Sequence, residues 1–268
     1  MRKIFFLAII TSASCSAPKN VTNTTTSASN LVADGKLFTA LFQQKAAEYK
    51  ALCFQAYNIA RLRLDQSLSN PVSAKPKAIV TDIDETVLDN SPYAVHQGLQ
   101  GKDYEPVSWI NEWTVKADAD TLAGAYSFFK YAASKNVEVF YITNREDKER
   151  AGTLQNLQKF GFPYADEQHL VTKSTVSSKE PRRQQLAATH DILMLIGDNL
   201  SDFSTLFDKR STEERTKNVQ ANAGEFGNKF IVLPNANYGD WESALYNYNY
   251  KLTAAQKDSV IKGVLKGY

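Results

Sequence analysis

Residues 78–93 read AIVTDIDETVLDNSPY, and the fold follows from how this stretch divides. Ala78, Ile79 and Val80 form the apolar run that a buried parallel strand needs, and the run stops at Thr81-Asp82-Ile83-Asp84-Glu85-Thr86. Residues i and i+2 of a strand point to one side. Asp82 and Asp84 are therefore expected at the carboxyl end of a strand, facing the crevice where open α/β sheets hold their ligands. Two carboxylates held together repel each other, and a bound cation, a shared proton or a basic neighbour relieves the strain. The plain alternative is a strand running into an acidic turn, because Asp-x-Asp-x-Thr is short enough to arise by chance.

Working outward, the pattern alternates. It predicts a helix over about 117–134, a strand over 137–143, a helix over about 146–160 and a short strand over 169–172. A helix over 180–188 and strands over 192–196 and 230–233 follow. Such alternation implies an α/β fold with a mostly parallel, Rossmann-like sheet and helices on both faces. The residues that close the other strands should then point into the same crevice. They are Thr143-Asn144-Arg145 and Gly197-Asp198-Asn199-Leu200-Ser201-Asp202, with Lys179 just ahead of a helix and Lys173 as its rival. Four Asp, one Thr and one Lys suit phosphoryl transfer, and oxygen-only ligation suits Mg²⁺. Each has a plainer reading: Asp198 and Asp202 as helix-capping acids, Thr143 as a β-branched strand end, Lys179 as a solvated charge. His96, His169 and His190 are scattered without zinc-site spacing, and no Gly-x-Ser-x-Gly elbow occurs.

The chain has 268 residues, 43% of them hydrophobic and 22% charged, which is ordinary for a globular protein. Its net charge of +2 falls to zero if Arg2 and Lys3 leave with a leader, so nothing in the balance points to a nucleic acid polymer as partner. Residues 1–14 carry a basic end, the apolar run Ile4-Phe5-Phe6-Leu7-Ala8-Ile9-Ile10 and then small residues, as a signal peptide does. Ser12-Ala13-Ser14 before Cys15 is similar to a bacterial lipobox, with Ser12 where Leu is usual. Lipidation of Cys15 is expected, and with it attachment to a membrane, with the cell envelope and its outer membrane as the expected location. Residues 15–30, rich in Ser, Thr, Ala and Asn, read as the tether. Once Cys15 is lipidated Cys53 is the sole thiol; the alternative is a Cys15–Cys53 bridge.

Apolar residues from Leu37 to Leu64 recur every three or four positions and predict one long amphipathic helix, with Cys53 on its buried stripe. Ser69-Asn70-Pro71 ends it. This helix, the stretch around Trp109 and Trp113, and the tail after Tyr238 fall outside the alternation and are expected to form a small helical cap. The core then spans about 75–93 and 117–234, and the cap about 31–70, 94–116 and 235–268.

Three stretches, Asp82-Ile83-Asp84-Glu85-Thr86-Val87-Leu88-Asp89-Asn90-Ser91-Pro92-Tyr93, Tyr141-Ile142-Thr143-Asn144-Arg145 and Gly197-Asp198-Asn199-Leu200-Ser201-Asp202-Phe203, resemble the signatures of the haloacid dehalogenase superfamily. More narrowly the chain resembles the class C acid phosphatases, including the outer-membrane lipoprotein e type of 5′-nucleotidase. Residues 48–58 and 230–242 match that narrower family too, so the likeness runs from about Thr39 to the C-terminus and makes 31–268 a phosphatase domain. The resemblance implies Asp82 as nucleophile and Asp84 as acid/base. It implies Mg²⁺ held by Asp82, Asp198 and the Asp84 main-chain carbonyl with Asp202 in support, and phosphoryl oxygens held by Thr143, Asn144 and Lys179. It also implies a nucleobase stacked between Tyr238 and an aromatic near Trp109, small phosphate monoesters as substrates, and room for a homodimer. Aromatics at these spacings also suit a core, as with Trp113 and Trp241. The rival reading is a non-catalytic surface lipoprotein for haem capture or storage. For that role the axial ligands are few: past the leader the one methionine is Met194, inside a predicted strand.

Overall fold

The computed structural model describes residues 30–69 and 73–268. The expected leader, Cys15, almost all of the tether and the helix stop at Asn70-Pro71 lie outside the described residues. The strands are β1 (Lys77–Thr81), β2 (Leu88–Asp89), β3 (Asp120–Thr121), β4 (Glu138–Glu146), β5 (Leu170–Lys173), β6 (Asp191–Gly197) and β7 (Phe230–Val232). The helices are α1 (Leu31–Lys45), α2 (Ala47–Ser69), α3 (Ser91–Gly98), the single turn α4 (Pro106–Ser108), α5 (Ala125–Ser134), α6 (Arg150–Lys159), α7 (Glu180–Thr189), α8 (Thr212–Ala221), α9 (Asp240–Leu245) and α10 (Ala254–Val264).

Five strands form one parallel sheet in the order β5-β4-β1-β6-β7, as the alternation predicts, and β2 and β3 pair separately and antiparallel. The central strand β1 sets Thr81 level with Tyr141 on β4 and Ile196 on β6. Alternate residues serve opposite faces. Ile79, Val139, Tyr141, Met194 and Ile196 meet Cys53, Tyr57 and Leu64 of α2, Phe128 and Phe129 of α5, and Leu154 and Leu157 of α6. Ala78, Val80, Phe140, Ile142 and Leu195 meet Phe203 and, on α7, Leu186. Each large side chain buried this way contributes about 1.5–3 kcal/mol.

Three boundaries differ from the sequence-based expectation. The long helix is two, because Ala46 is extended (ψ 127°) between α1 and α2. The helix expected from 117 begins only at Ala125, since Ala117 is left-handed (φ 51°) and β3 intervenes. β4 runs on to Glu146, and its helix starts at Arg150 after a 3₁₀ turn.

The break at Ala46 divides the labour of α1 and α2. α2 packs under the sheet and belongs to the core, not to the cap expected to include 31–70. α1 lies over the site side with α3 and the tail. The Leu31 N–H donates to Asp258 on α10 at 3.1 Å, and Gln44 donates to Ser91 at 3.0 Å. Gly98 lets α1 and α3 approach: a Cβ there would sit 2.9 Å from that of Leu37. Among the described residues no helix is long and apolar enough to cross a membrane.

Candidate active site

One residue past β1, the Asp82 N–H donates to the Ile196 carbonyl at 2.9 Å, so the ladder continues and brings Asp82 beside the loop after β6. In that loop Asn199 and Asp202 cap one another, and the Asp202 carboxylate accepts from the Asn199 N–H at 3.0 Å. Carboxylate oxygens of Asp82, Asp198 and Asp202 come within 4.8 Å of one another. Lys179, at the entry to α7 and 4% exposed, places its ammonium 2.6 Å from Asp82 and 2.7 Å from Asp202.

Electrostatics follow from three sheltered carboxylates, Asp202 buried and Asp82 and Asp198 partly so, beside one ammonium. Burial pushes the Asp82 carboxyl above its usual range; Lys179 opposes this, and Asp202 and Asp84 reinforce it. Burial, then the charges of Asp202 and Asp82, raise Asp198 as well. Burial disfavours the Lys179 charge, but Asp202 and Asp82 outweigh it and its pKa rises. A set of oxygen donors this close, short of positive charge, fits a hard divalent cation such as Mg²⁺.

Gly197 makes the cluster possible. A Cβ there would lie 2.3 Å from a carboxylate oxygen of Asp202 and 2.5 Å from its Cβ. Gly197→Ala is expected to cost about 1–3 kcal/mol by overpacking, read from the urea midpoint, and to lower turnover by displacing Asp202. A variant with unchanged midpoint and turnover would show that the loop yields freely.

Asp84 lines the same cavity but stands outside the group of three carboxylates. Its Oδ1 accepts from Arg145 Nη2 at 2.7 Å and from Asn90 Nδ2 at 2.9 Å, and Arg145 Nε reaches both its oxygens at 3.1 and 3.2 Å. Arg145 is itself fixed by Thr153 at 3.1 Å. Asn90 also gives Nδ2 to Glu85 and accepts the Trp113 indole N–H at 2.7 Å. Glu85, with φ 53°, accepts from the Tyr238 hydroxyl; burial, then the Asp84 charge, push its pKa up to about 8. Asn235 donates to Asp198 at 2.7 Å. Sequence reasoning gave Arg145, Asn90, Glu85 and Asn235 no role, although all four lie inside stretches that carry the family resemblance. The one signal was the density of polar residues in stretches due to be buried.

The remaining candidates are placed as follows. Thr143 is fully buried, its hydroxyl accepting the Arg145 N–H at 3.1 Å. Asn144 lies on the wall of a cavity of about 700 Å³ that also holds Asp82, Asp84, Lys179, Asp198, Asp202 and Tyr238. Lys173 lines it too, but its ammonium pairs with Glu146 at 3.5 Å, so Lys179 is the one on Asp82. Trp109 borders the cavity yet is 8% exposed, its N–H donating to Glu149 at 3.0 Å and its ring edge-on to Tyr93. Tyr104, 5.8 Å from it and 53% exposed, presents the open aromatic face of that wall. Met194 is 1% exposed in β6, with no room for the axial haem ligation the rival reading needs.

Comparison with known proteins completes the picture. The structure of the class C acid phosphatase from Bacillus anthracis matches with a TM-score of 0.85 and 42% identity, over 88% of this chain and 99% of that one. The same phosphatase with tungstate bound gives 0.84 and 41%, over 90% and 100%. The stem 31 kDa glycoprotein of Glycine max is 31% identical over 126 residues, 45% of this chain and 49% of that protein. Acid phosphatase 1 of Solanum lycopersicum is 26% identical over 83 residues, 31% of this chain and 32% of that protein. The chain thus spans about half, or less, of the curated relatives it matches. The family model for HAD superfamily, subfamily IIIB (acid phosphatase) matches residues 7–241. With strands, loops and carboxylates in that arrangement and the match running over most of its length, the chain belongs to the acid phosphatases of HAD subfamily IIIB.

Proposed function

We propose that this protein is an exported, lipid-anchored acid phosphomonoesterase that depends on Mg²⁺ and prefers 5′-nucleotides. The observation that carries the reading is the convergence of Asp82, Asp198 and Asp202 within 4.8 Å, with Lys179 2.6 Å from Asp82, at the carboxyl end of the sheet. Tungstate, reported bound to the B. anthracis relative, has the tetrahedral oxyanion shape of a phosphoryl group.

Asp82 attacks phosphorus in line with the ester oxygen, the P–O ester bond breaks, and Asp84 gives its proton to the leaving oxygen. Water then attacks the aspartyl phosphate and loses a proton to Asp84, releasing phosphate and restoring the Asp82 carboxylate. Lys179 opposes the burial that raises the Asp82 carboxyl and offers positive charge to the equatorial oxygens, where catalysis of this reaction mostly arises. Arg145 fixes the direction of the Asp84 carboxylate. Asp82, Asp198 and the Asp84 main-chain carbonyl, with Asp202 in support, would hold a divalent ion, which would supply neutralising charge to the phosphoryl oxygens. Export and anchoring rest on residues 1–15 alone.

The test is phosphate release at acid pH from a panel of monoesters; no release from any of them overturns the reading. Tyr238 lines the cavity with Tyr104 nearby, and stacking on a base is worth about 1–3 kcal/mol. Tyr238→Ala should raise KM for adenosine 5′-monophosphate by about fivefold or more, and much less for p-nitrophenyl phosphate. Equal changes on both would remove the base-stacking role.

A further inference from the structure

On the wall of the same cavity, and with no role in the chemistry above, one carboxylate gathers two ammonium groups from separate parts of the chain. Asp103 accepts from Lys36 of α1 at 2.6 Å through Oδ1 and from Lys257 of α10 at 2.6 Å through Oδ2. Lys36 also lies 3.1 Å from Glu242 of α9, and the Lys257 ammonium stands 5.4 Å from the ring centroid of Tyr246. These side chains are largely sheltered: Lys36, Lys257 and Asp103 expose 15%, 20% and 29% of themselves. Burial opposes the Asp103 charge, yet Lys36 and Lys257 draw its pKa down to about 2, so Asp103 stays ionised in acid. Lys102 lines the cavity beside them and bonds a neutral partner, Gln100, at 2.9 Å.

Three ammonium groups and two carboxylates line this end of the cavity, with Glu105 within reach of the Lys102 charge. Each ammonium has three N–H donors. Among the described contacts Lys257 spends one on a carboxylate and Lys36 two, and both residues line the cavity. Donors held in place by a shared carboxylate, with capacity unspent, suit the oxygens of an anion. We propose that Lys36, Lys102 and Lys257, organised by Asp103, form a second anion subsite that selects phosphate monoesters carrying another phosphate away from the scissile one.

The inference rests on the phosphatase reading and narrows its substrate class. Lys257 lies beyond residues 7–241 matched by the family model. A cluster that merely staples α1 to α10 would stabilise the cap without ranking substrates.

The experiment compares kcat/KM for adenosine 3′,5′-bisphosphate and adenosine 5′-monophosphate, using the full mature chain with Mg²⁺ and p-nitrophenyl phosphate as reference. The bisphosphate should be preferred by about tenfold, the worth of one charge-assisted hydrogen bond, and the preference should fall as NaCl is added. In Lys257→Gln and, independently, Lys36→Gln the ratio should drop towards one, and Lys257→Arg should retain most of it. Because a ratio is read, a general loss of activity in a weakened variant cancels. If Lys257→Gln does not fold, Lys36→Gln and Lys257→Arg carry the test. Equal kcat/KM for the two adenosine esters in the wild type, or a preference that survives both Gln variants, overturns the subsite while leaving the phosphatase reading intact. Absence of turnover on p-nitrophenyl phosphate as well takes both down.

Discussion

Asp82→Asn should lower turnover of every phosphate monoester by at least about 10³-fold, while the thermal midpoint does not fall. The amide keeps the shape of the side chain but cannot serve as the attacking oxygen. Lys179 retains Asp202, 2.7 Å away, so its ammonium is not stranded. One negative charge also leaves a group in which burial and mutual repulsion already raise the carboxyl pKa values. Kinetics with p-nitrophenyl phosphate and a melting curve read both halves. Wild-type turnover in the variant would dismiss Asp82 as nucleophile, and collapse of the fold would make it a structural residue.

Chelation should have an effect of comparable size. Two carboxylates about 4 Å apart repel by roughly 4 kcal/mol at an effective dielectric of about 20. Asp82, Asp198 and Asp202 lie within 4.8 Å of one another with the single ammonium of Lys179 between two of them. EDTA is expected to remove activity, and Mg²⁺ in excess to restore it. In the same titration Mg²⁺ should raise the melting midpoint, since a ligand that binds only the folded state stabilises it. The second readout is independent of turnover. A protein indifferent to chelation in both activity and melting would rule out the metal at these carboxylates.

Much of this architecture was legible in the sequence because it is local. The apolar run ending at Asp82 and the run ending at Gly197-Asp198 announce strands whose ends carry acids, and parallel pairing then leaves those ends at one edge of the sheet. What escaped depends on tertiary placement. Nothing around Ala46 marks a break, since alanine is the best helix former and the three-four spacing continues past it. α8 reads TEERTKNVQA and buries Arg215 alone, so it lacks the apolar stripe by which a helix is recognised. Arg145 could be read as a strand-end residue, but its partner, Asp84, is 61 residues away in the chain. Trp109 shows the converse: the sequence displays an aromatic, and only packing shows that Tyr93 and Glu149 enclose it and that Tyr104 is the open face.

Cys53 has no exposed surface, and burial, the largest influence, pushes its thiol up to about 11. The chain has two cysteines. A maleimide dye offered to the undenatured molecule is thereby restricted to position 15, and a free sulfhydryl there would take one label. A thioether to lipid would take none, so a single mass spectrum distinguishes the acylated species from the bare one without altering any residue.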